Sequence, residues 1–430
     1  PDETVVNLTR LTLLGTDRNG AIVEKGIEGE TREYNGTDYT YTGIADLETV
    51  VNDDNTVDYN ITLKEGVLFS DGHEMNIDDV IFSMYVLSDP TYDGSSTFFS
   101  LPIEGMEAYR SGMSVMYEVI ANAGRDNTDF TYWTEEQQTQ FWSEVDAVIE
   151  PWIQEIVDYC VAAGAVAEGA TIAEAAAQWG YTDLAADATA VDFFNAIIAK
   201  YPTFVEAVQT ESAGSNFFEM MESFNSLWST GVETGESAPN ISGIERTGDY
   251  SMTVHMTKVD ATALLQFTLV APMHYYGDES LYDYDNNSFG FTKGDLSVVR
   301  EVTGSPMGAG PYVFNSYENG VVSLTANPNY WKGEPKIAHI NVQFTAEADK
   351  ISGVSSGTLD IATPSFDLDK VDEITSINGT EDFDGPVITI RTTQYLGYGY
   401  IGMNADNISV GGDPGSEQSK DLRKAIMTVI

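Results

Sequence analysis

Residues 308–344, GAGPYVFNSYENGVVSLTANPNYWKGEPKIAHINVQF, limit the possible folds more than any other stretch, because turn chemistry and strand patterning are densest there. Gly308 and Gly310 before Pro311 predict a tight entry, since glycine reaches positive φ freely and proline fixes its own φ. Tyr312 and Phe314 then alternate as strand residues do. Glu318, Asn319 and Gly320 suit a hairpin reversal, and residues 321–324, VVSL, run back. Turns at 327–329 and 332–335 bracket Tyr330 and Trp331, and Ile337, Ile340, Val342 and Phe344 mark a further strand.

The order G-x-G-P-Y, hairpin, N-P-x-Y-W, G-x-P turn, strand resembles the family 5 extracytoplasmic solute-binding proteins, which are peptide, dipeptide and nickel receptors of ABC importers. Two more segments are similar to that family. Residues 63–72, LKEGVLFSDG, with 78–83, DDVIFS, follow its L-x-x-G-V-x-F-S-D-G and D-D-V-x-F-S signature. Residues 356–361, SGTLDI, then 395–404, then 422–426, LRKAI, follow its downstream order. The resemblance covers most of the chain outside residues 106–238. It implies a mixed α/β, periplasmic-binding-protein-like fold of type II, with two lobes that close on a ligand by hinge motion. It also implies a monomer that captures oligopeptides without catalysis and passes them to permease subunits in the membrane. Nickel chelates and oligosaccharides remain open as ligands within the family. Extracytoplasmic location, periplasmic or as a cell-surface lipoprotein, follows from the resemblance alone.

Sixty-eight Asp and Glu against 20 Lys and Arg give a formal charge of −48, which repels phosphate backbones and anionic membranes. Nucleic acid is therefore not expected as a partner. A solvated acidic surface accounts for the charge, and a salt-rich habitat is the alternative. The single cysteine, Cys160, excludes an intrachain disulfide and a cysteine-built zinc cluster. Hydrophobic residues make up 42%, without an apolar run long enough to span a bilayer. A start at Pro1 without methionine reads as a trimmed mature chain.

At 430 residues more than one core is expected. Residues 1–44 read as the first part of the first lobe, with strands at 8–14 and 21–23 around a turn at 17–20. Residues 45–105 begin a subdomain, with strands at 40–47 and 59–63 around a turn at 52–55 and a helix from about Ile77 to Leu87. Residues 239–267 complete it with the alternating strand 250–256. Residues 268–404 return to the first lobe, and 405–430 start a second lobe that is largely missing.

Residues 106–238 read as a helical insertion. Thr134 with Gln137 forms a capping box ahead of a stripe of Phe141, Val145, Val148, Trp152, Ile156 and Cys160, with a kink expected at Pro151. Thr171 with Glu174 opens a second helix, and Phe193, Phe194, Ile197 and Ile198 line a third. Phe217, Met221, Phe224 and Trp228 mark a fourth. Such a bundle packs its stripes internally, or else it covers a cleft or binds a partner.

No catalytic residue, metal or cofactor is expected. Residues 353–357 fit G-x-S-x-G around Ser355, but the order is a helix over 347–354 and then a strand at 359–361, the reverse of a nucleophile elbow, and Gly357 reads as a helix C-cap. Residues 397–402 fit G-x-G-x-x-G without the following helix that dinucleotide binding needs. His73, His255, His274 and His339 have no ligand spacing. Asp283, Asp285 and Asn287 begin like a calcium loop, but Ser288 and Gly294 break the pattern. The ligand-binding candidates are Tyr395, Tyr398, Tyr400 and Asn404 near the lobe junction, with Phe98 and Phe99. Aromatic faces suit variable peptide side chains, and core packing is the competing role for the same rings. An acidic secreted enzyme or adhesin is the reading from another class, and the sequence shows neither a catalytic constellation nor a glycan-binding platform. With most of a second lobe absent, weak peptide binding is expected.

Overall fold

Val57, Tyr59, Ile61 and Leu63 are buried while the residues between them are not, so this strand must lie inside a sheet with one face on a core. The computed structural model describes residues 2–267, 270–365, 367–392 and 401–429, and divides into two units, Pro1–Phe344 and Thr345–Ile430. In the first, an antiparallel sheet has the order Ala45–Val51, Val57–Leu63, Ser251–Met256, Ile244–Gly248. Ile61 stands opposite Leu47 on one side and Met252 on the other. The expected strand over 40–47 is instead the end of one hairpin, Glu30–Tyr34 with Thr37–Tyr41, and the start of this sheet. The reversal near 52–55 is present, with Asn55 at φ +67°.

Helix Ile77–Ser88 is buried at every position but Asp78, as a helix apolar around most of its circumference must be. Asn76 and Asp79 form its capping box. Its buried hydroxyls have partners: Ser83 Oγ donates to the Asp79 carbonyl at 2.7 Å and Ser88 Oγ to that of Met84 at 2.7 Å.

Met113–Val115 pairs antiparallel with Gly231–Glu233, which brings Val115 opposite Gly231. The chain between them buries a core of its own, in which Phe141, Trp152, Phe193, Ile197, Phe218 and Trp228 have no exposed surface. Three helices carry full capping boxes at Thr134, Thr171 and Thr189. The long helix Glu135–Ala162 runs through Pro151 without interruption. Phe217, Met221, Phe224 and Trp228 are all buried, but they do not share a regular α-helix. Met221 is extended (φ −75°, ψ 138°) between a 3-10 turn, Phe218–Met220, and a π-helical turn, Phe224–Trp228.

The hairpin in 308–344 forms as Tyr312–Glu318 and Val321–Ala326, with Asn319 at φ +52° and Gly320 at φ +78°. His339–Gln343 adds a third antiparallel strand. Ile337 and Phe344, expected within it, stand outside and are exposed. Residues 8–14 are not a strand: helix Asp2–Thr9 ends there.

That helix changes the account of Gly308 and Gly310. Neither has positive φ, and what requires glycine is close approach of another backbone. A Cβ on Gly308 would meet the Thr9 carbonyl oxygen at 2.6 Å, and one on Gly310 would meet the Thr9 carbonyl carbon at 2.4 Å. Gly310→Ala is therefore expected to lower stability by about 1–3 kcal/mol, the usual cost of overpacking. Chemical denaturation would read this, and an unchanged midpoint would show that residues 8–10 can move aside.

The second unit contains helices Lys350–Ser356, Leu368–Asn378 and Glu417–Val429. Ile351, Ile374 and Ile388 form its small buried cluster, and Asn378 accepts from Ile388 N at 2.9 Å. Gly357 ends the first helix at φ +77°. Residues 359–361, expected as a strand, pair with none of the described residues, and Ile361 is 85% exposed. Among the described residues no helix is long and apolar enough to cross a membrane.

Candidate functional site

The segments that carry the sequence signature are joined in the first unit by hydrogen bonds, most of them between a side chain and the backbone. Ser70 N donates to the Gly308 carbonyl at 3.0 Å, and Asn329 Nδ2 to the Ser70 carbonyl at 3.1 Å. Asn327 Nδ2 donates to the Gly310 carbonyl at 2.8 Å. Asp79 accepts from Met273 N at 2.9 Å and Asn76 N at 3.0 Å, while Ser83 Oγ accepts from Ala271 N at 2.8 Å. Burial pushes the Asp79 carboxyl up to about 6, against the lowering effect of its two N–H donors. Met307 N donates to the Tyr276 hydroxyl at 2.9 Å, which ties the D-D-V-x-F-S and A-P-M-H (residues 271–274) pair to the segment that carries F-S-D-G and N-P-N-Y, so the four elements form one frame.

That frame gathers residues that sequence spacing left apart. Asp71 Oδ2 lies 3.0 Å from His73 Nδ1 and 2.7 Å from His274 Nε2, and the two imidazoles stack with centroids 4.0 Å apart. His73 is two residues from Asp71, whereas His274 arrives from about 200 residues further on through Asp79's hold on Met273. The Asp-x-His spacing is the only local signal. His255 is held separately by Asp58 at 2.7 Å and Glu245 at 2.9 Å; burial disfavours its charge, but these two carboxylates outweigh it and raise its pKa.

Tyr395, Tyr398 and Tyr400 lie outside the described residues. Asn404 is exposed, and its Oδ1 accepts from Asp406 N at 3.0 Å and Asn407 N at 3.1 Å, which closes a turn. Phe98 is 1% exposed and packs near Phe267 in the main core, so in this structure it offers no ring face to solvent. Phe99 is half-buried beneath the Arg110 guanidinium, 4.4 Å from its ring centre. Ser355 sits inside a helix, where its hydroxyl donates to the Ser352 carbonyl at 3.0 Å, and it is not at an elbow. Asp283 caps a 3-10 turn by accepting from Asn286 N. A shallow cleft beside Gly15, Gly26 and residues 40–43 has Lys332 as its single charged liner.

The family model for bacterial extracellular solute-binding proteins, family 5, middle region, matches residues 188–430. The oligopeptide-binding protein AppA of Bacillus subtilis is 24% identical over 203 residues, 46% of this chain and 32% of that protein. Di/tripeptide-binding protein 2 of Pseudomonas aeruginosa is 42% identical over 48 residues, 11% of this chain and 9% of that one. The matched stretches thus span about a third or less of these relatives. Among solved structures, B. subtilis AppA with a nonapeptide aligns over 83% of this chain and 38% of its own, at 12% identity and a TM-score of 0.38. Haemophilus influenzae OppA with the peptide RPPGFSPFR aligns over 87% and 44%, at 12% identity and a TM-score of 0.37. The family model takes in more than half of the 430 residues, and on that ground the chain belongs to the family 5 bacterial extracellular solute-binding proteins.

Proposed function

We propose that this protein captures oligopeptides outside the cytoplasm and delivers them, unaltered, to the permease of an ABC importer. The observation that carries this is the 203-residue match to a protein named as oligopeptide-binding. The shorter match to a protein named for di- and tripeptides points the same way. Tyr395, Tyr398, Tyr400 and Asn404 supply one wall of the site in this proposal. Aromatic faces take apolar side chains of differing shape, and glycine-rich backbone leaves N–H and C=O groups free for a peptide main chain.

Calorimetry of the natural full-length protein with a mixed peptide library would test this. Saturable binding is expected, with the peptides recovered intact, and Tyr398→Ala should weaken it about tenfold, equivalent to about 1.4 kcal/mol of lost ring contact. Tight uptake of a nickel–histidine chelate with no response to any peptide would overturn the ligand assignment. Cleaved peptide in the recovered material would overturn the non-catalytic role.

A further inference from the structure

We propose that Asp71, His73 and His274 form a binding site for one divalent transition-metal ion of the zinc class, which staples the turn after Phe69 to the segment around Met273. The three donors converge already: both imidazole nitrogens face the same carboxylate oxygen, at 3.0 and 2.7 Å. Ligand atoms of all three lie within 4.8 Å of one another. Donors bound at about 2.0–2.1 Å in tetrahedral geometry stand about 3.3 Å apart, so a small spreading of the cluster admits the ion.

The ligand set is pre-shaped on one side and adjustable on the other. His274 has a side chain only 13% exposed, lies edge-on to Phe69 with centroids 5.7 Å apart, and follows the anchored Met273. Asp71 Oδ1 accepts from His73 N at 3.1 Å, which fixes the turn. His73, 61% exposed, stacks on His274 and has solvent rather than packed side chains over much of its surface, which leaves it room to adjust. His73 would bind through Nδ1 and His274 through Nε2, each neutral imidazole carrying its proton on the other ring nitrogen. The exposed side leaves a fourth position to water.

Two imidazoles and one carboxylate select zinc, nickel or copper over magnesium and calcium, which prefer all-oxygen shells. That distinction matters because a chain of charge −48 concentrates any cation at its surface.

The test is titration of the protein with ZnCl2 in a large excess of Mg2+, with Co2+ absorption in the visible as a second readout of nitrogen ligation. One saturable zinc site is expected. His73→Ala and His274→Ala should each weaken it at least about tenfold, the lower end of what removing even an outer partner does. His255→Ala, which alters a histidine with two carboxylate partners elsewhere, should leave it unchanged. Exposed His73 keeps the test valid if His274→Ala disturbs folding. Zinc binding that survives His73→Ala, or that Mg2+ displaces, would overturn the proposal. Peptide binding is not read in this experiment, so its outcome stands apart from the transport role.

Discussion

Trp228→Ala is expected to lower stability by about 3–5 kcal/mol, the range for removing a large aromatic side chain from a packed core. Trp228 has no exposed surface, meets Phe141 edge-on with ring centres 5.3 Å apart, and closes the π-helical turn Phe224–Trp228. Its indole N–H donates to Glu144 Oε2 at 2.8 Å, and the same carboxylate accepts from Ser223 N at 2.9 Å and Gln140 Nε2 at 2.8 Å. Truncation therefore opens a cavity and removes one of the donors that hold the turn to the long helix. Trp228→Phe fills most of the space and lacks the donor, so it should recover the larger part of the loss. Denaturation followed by far-UV circular dichroism reads both. An alanine variant that unfolds at the wild-type midpoint would show that this core adds nothing to global stability.

Glu211→Ala is expected to cost about 3 kcal/mol or more, because one largely buried carboxylate holds the ends of three helices. Tyr181 OH donates to Oε1 at 2.6 Å and Trp179 Nε1 to Oε2 at 2.8 Å; Lys200 Nζ reaches Oε1 at 2.9 Å, and Tyr201 OH joins it there. Removing the acceptor strands three half-buried donors, Trp179, Tyr181 and Tyr201, along with the lysine charge.

The pH dependence has a definite sign. Burial raises the Glu211 pKa, but the donors Tyr181, Tyr201 and Lys200 outweigh it, so it lies below its ordinary 4.5 in the folded protein. A depressed folded pKa adds stability above the unfolded value, and that stability is lost as pH falls through the folded one. The advantage of wild type over Glu211→Gln should thus be full at pH 7 and shrink on acidification below about 4.5. A gap that widened there would mean that the carboxyl is neutral in the folded state.

What could be read along the chain was whatever is encoded by neighbours. The capping boxes at Thr134 and Thr171, the Asn319–Gly320 reversal and the C-cap at Gly357 all appear where the residues place them, because each is closed by groups within a few positions. The alternation in 250–256 and the apolar stripe from Phe141 to Cys160 likewise fix a strand and a helix through local periodicity.

Other features depended on contacts that no local pattern records. Gly308 and Gly310 fit a turn on paper, yet what excludes a side chain there is the backbone of residues 8–10, some 300 positions away in the chain. Residues 359–361 carry strand-like residues, but a strand exists only where a partner pairs with it, and none of the described residues does so. Phe217 to Trp228 kept helical spacing and lost the regular helix, since Met221 is extended and the Glu144 carboxylate holds the turn that follows. The Asp71, His73 and His274 cluster is the clearest case. Sequence alone supplied the family and the local elements, while the approach of His274 to Asp71 was decided by a buried carboxylate at Asp79 that binds the Met273 amide, an interaction set by tertiary packing and not by spacing.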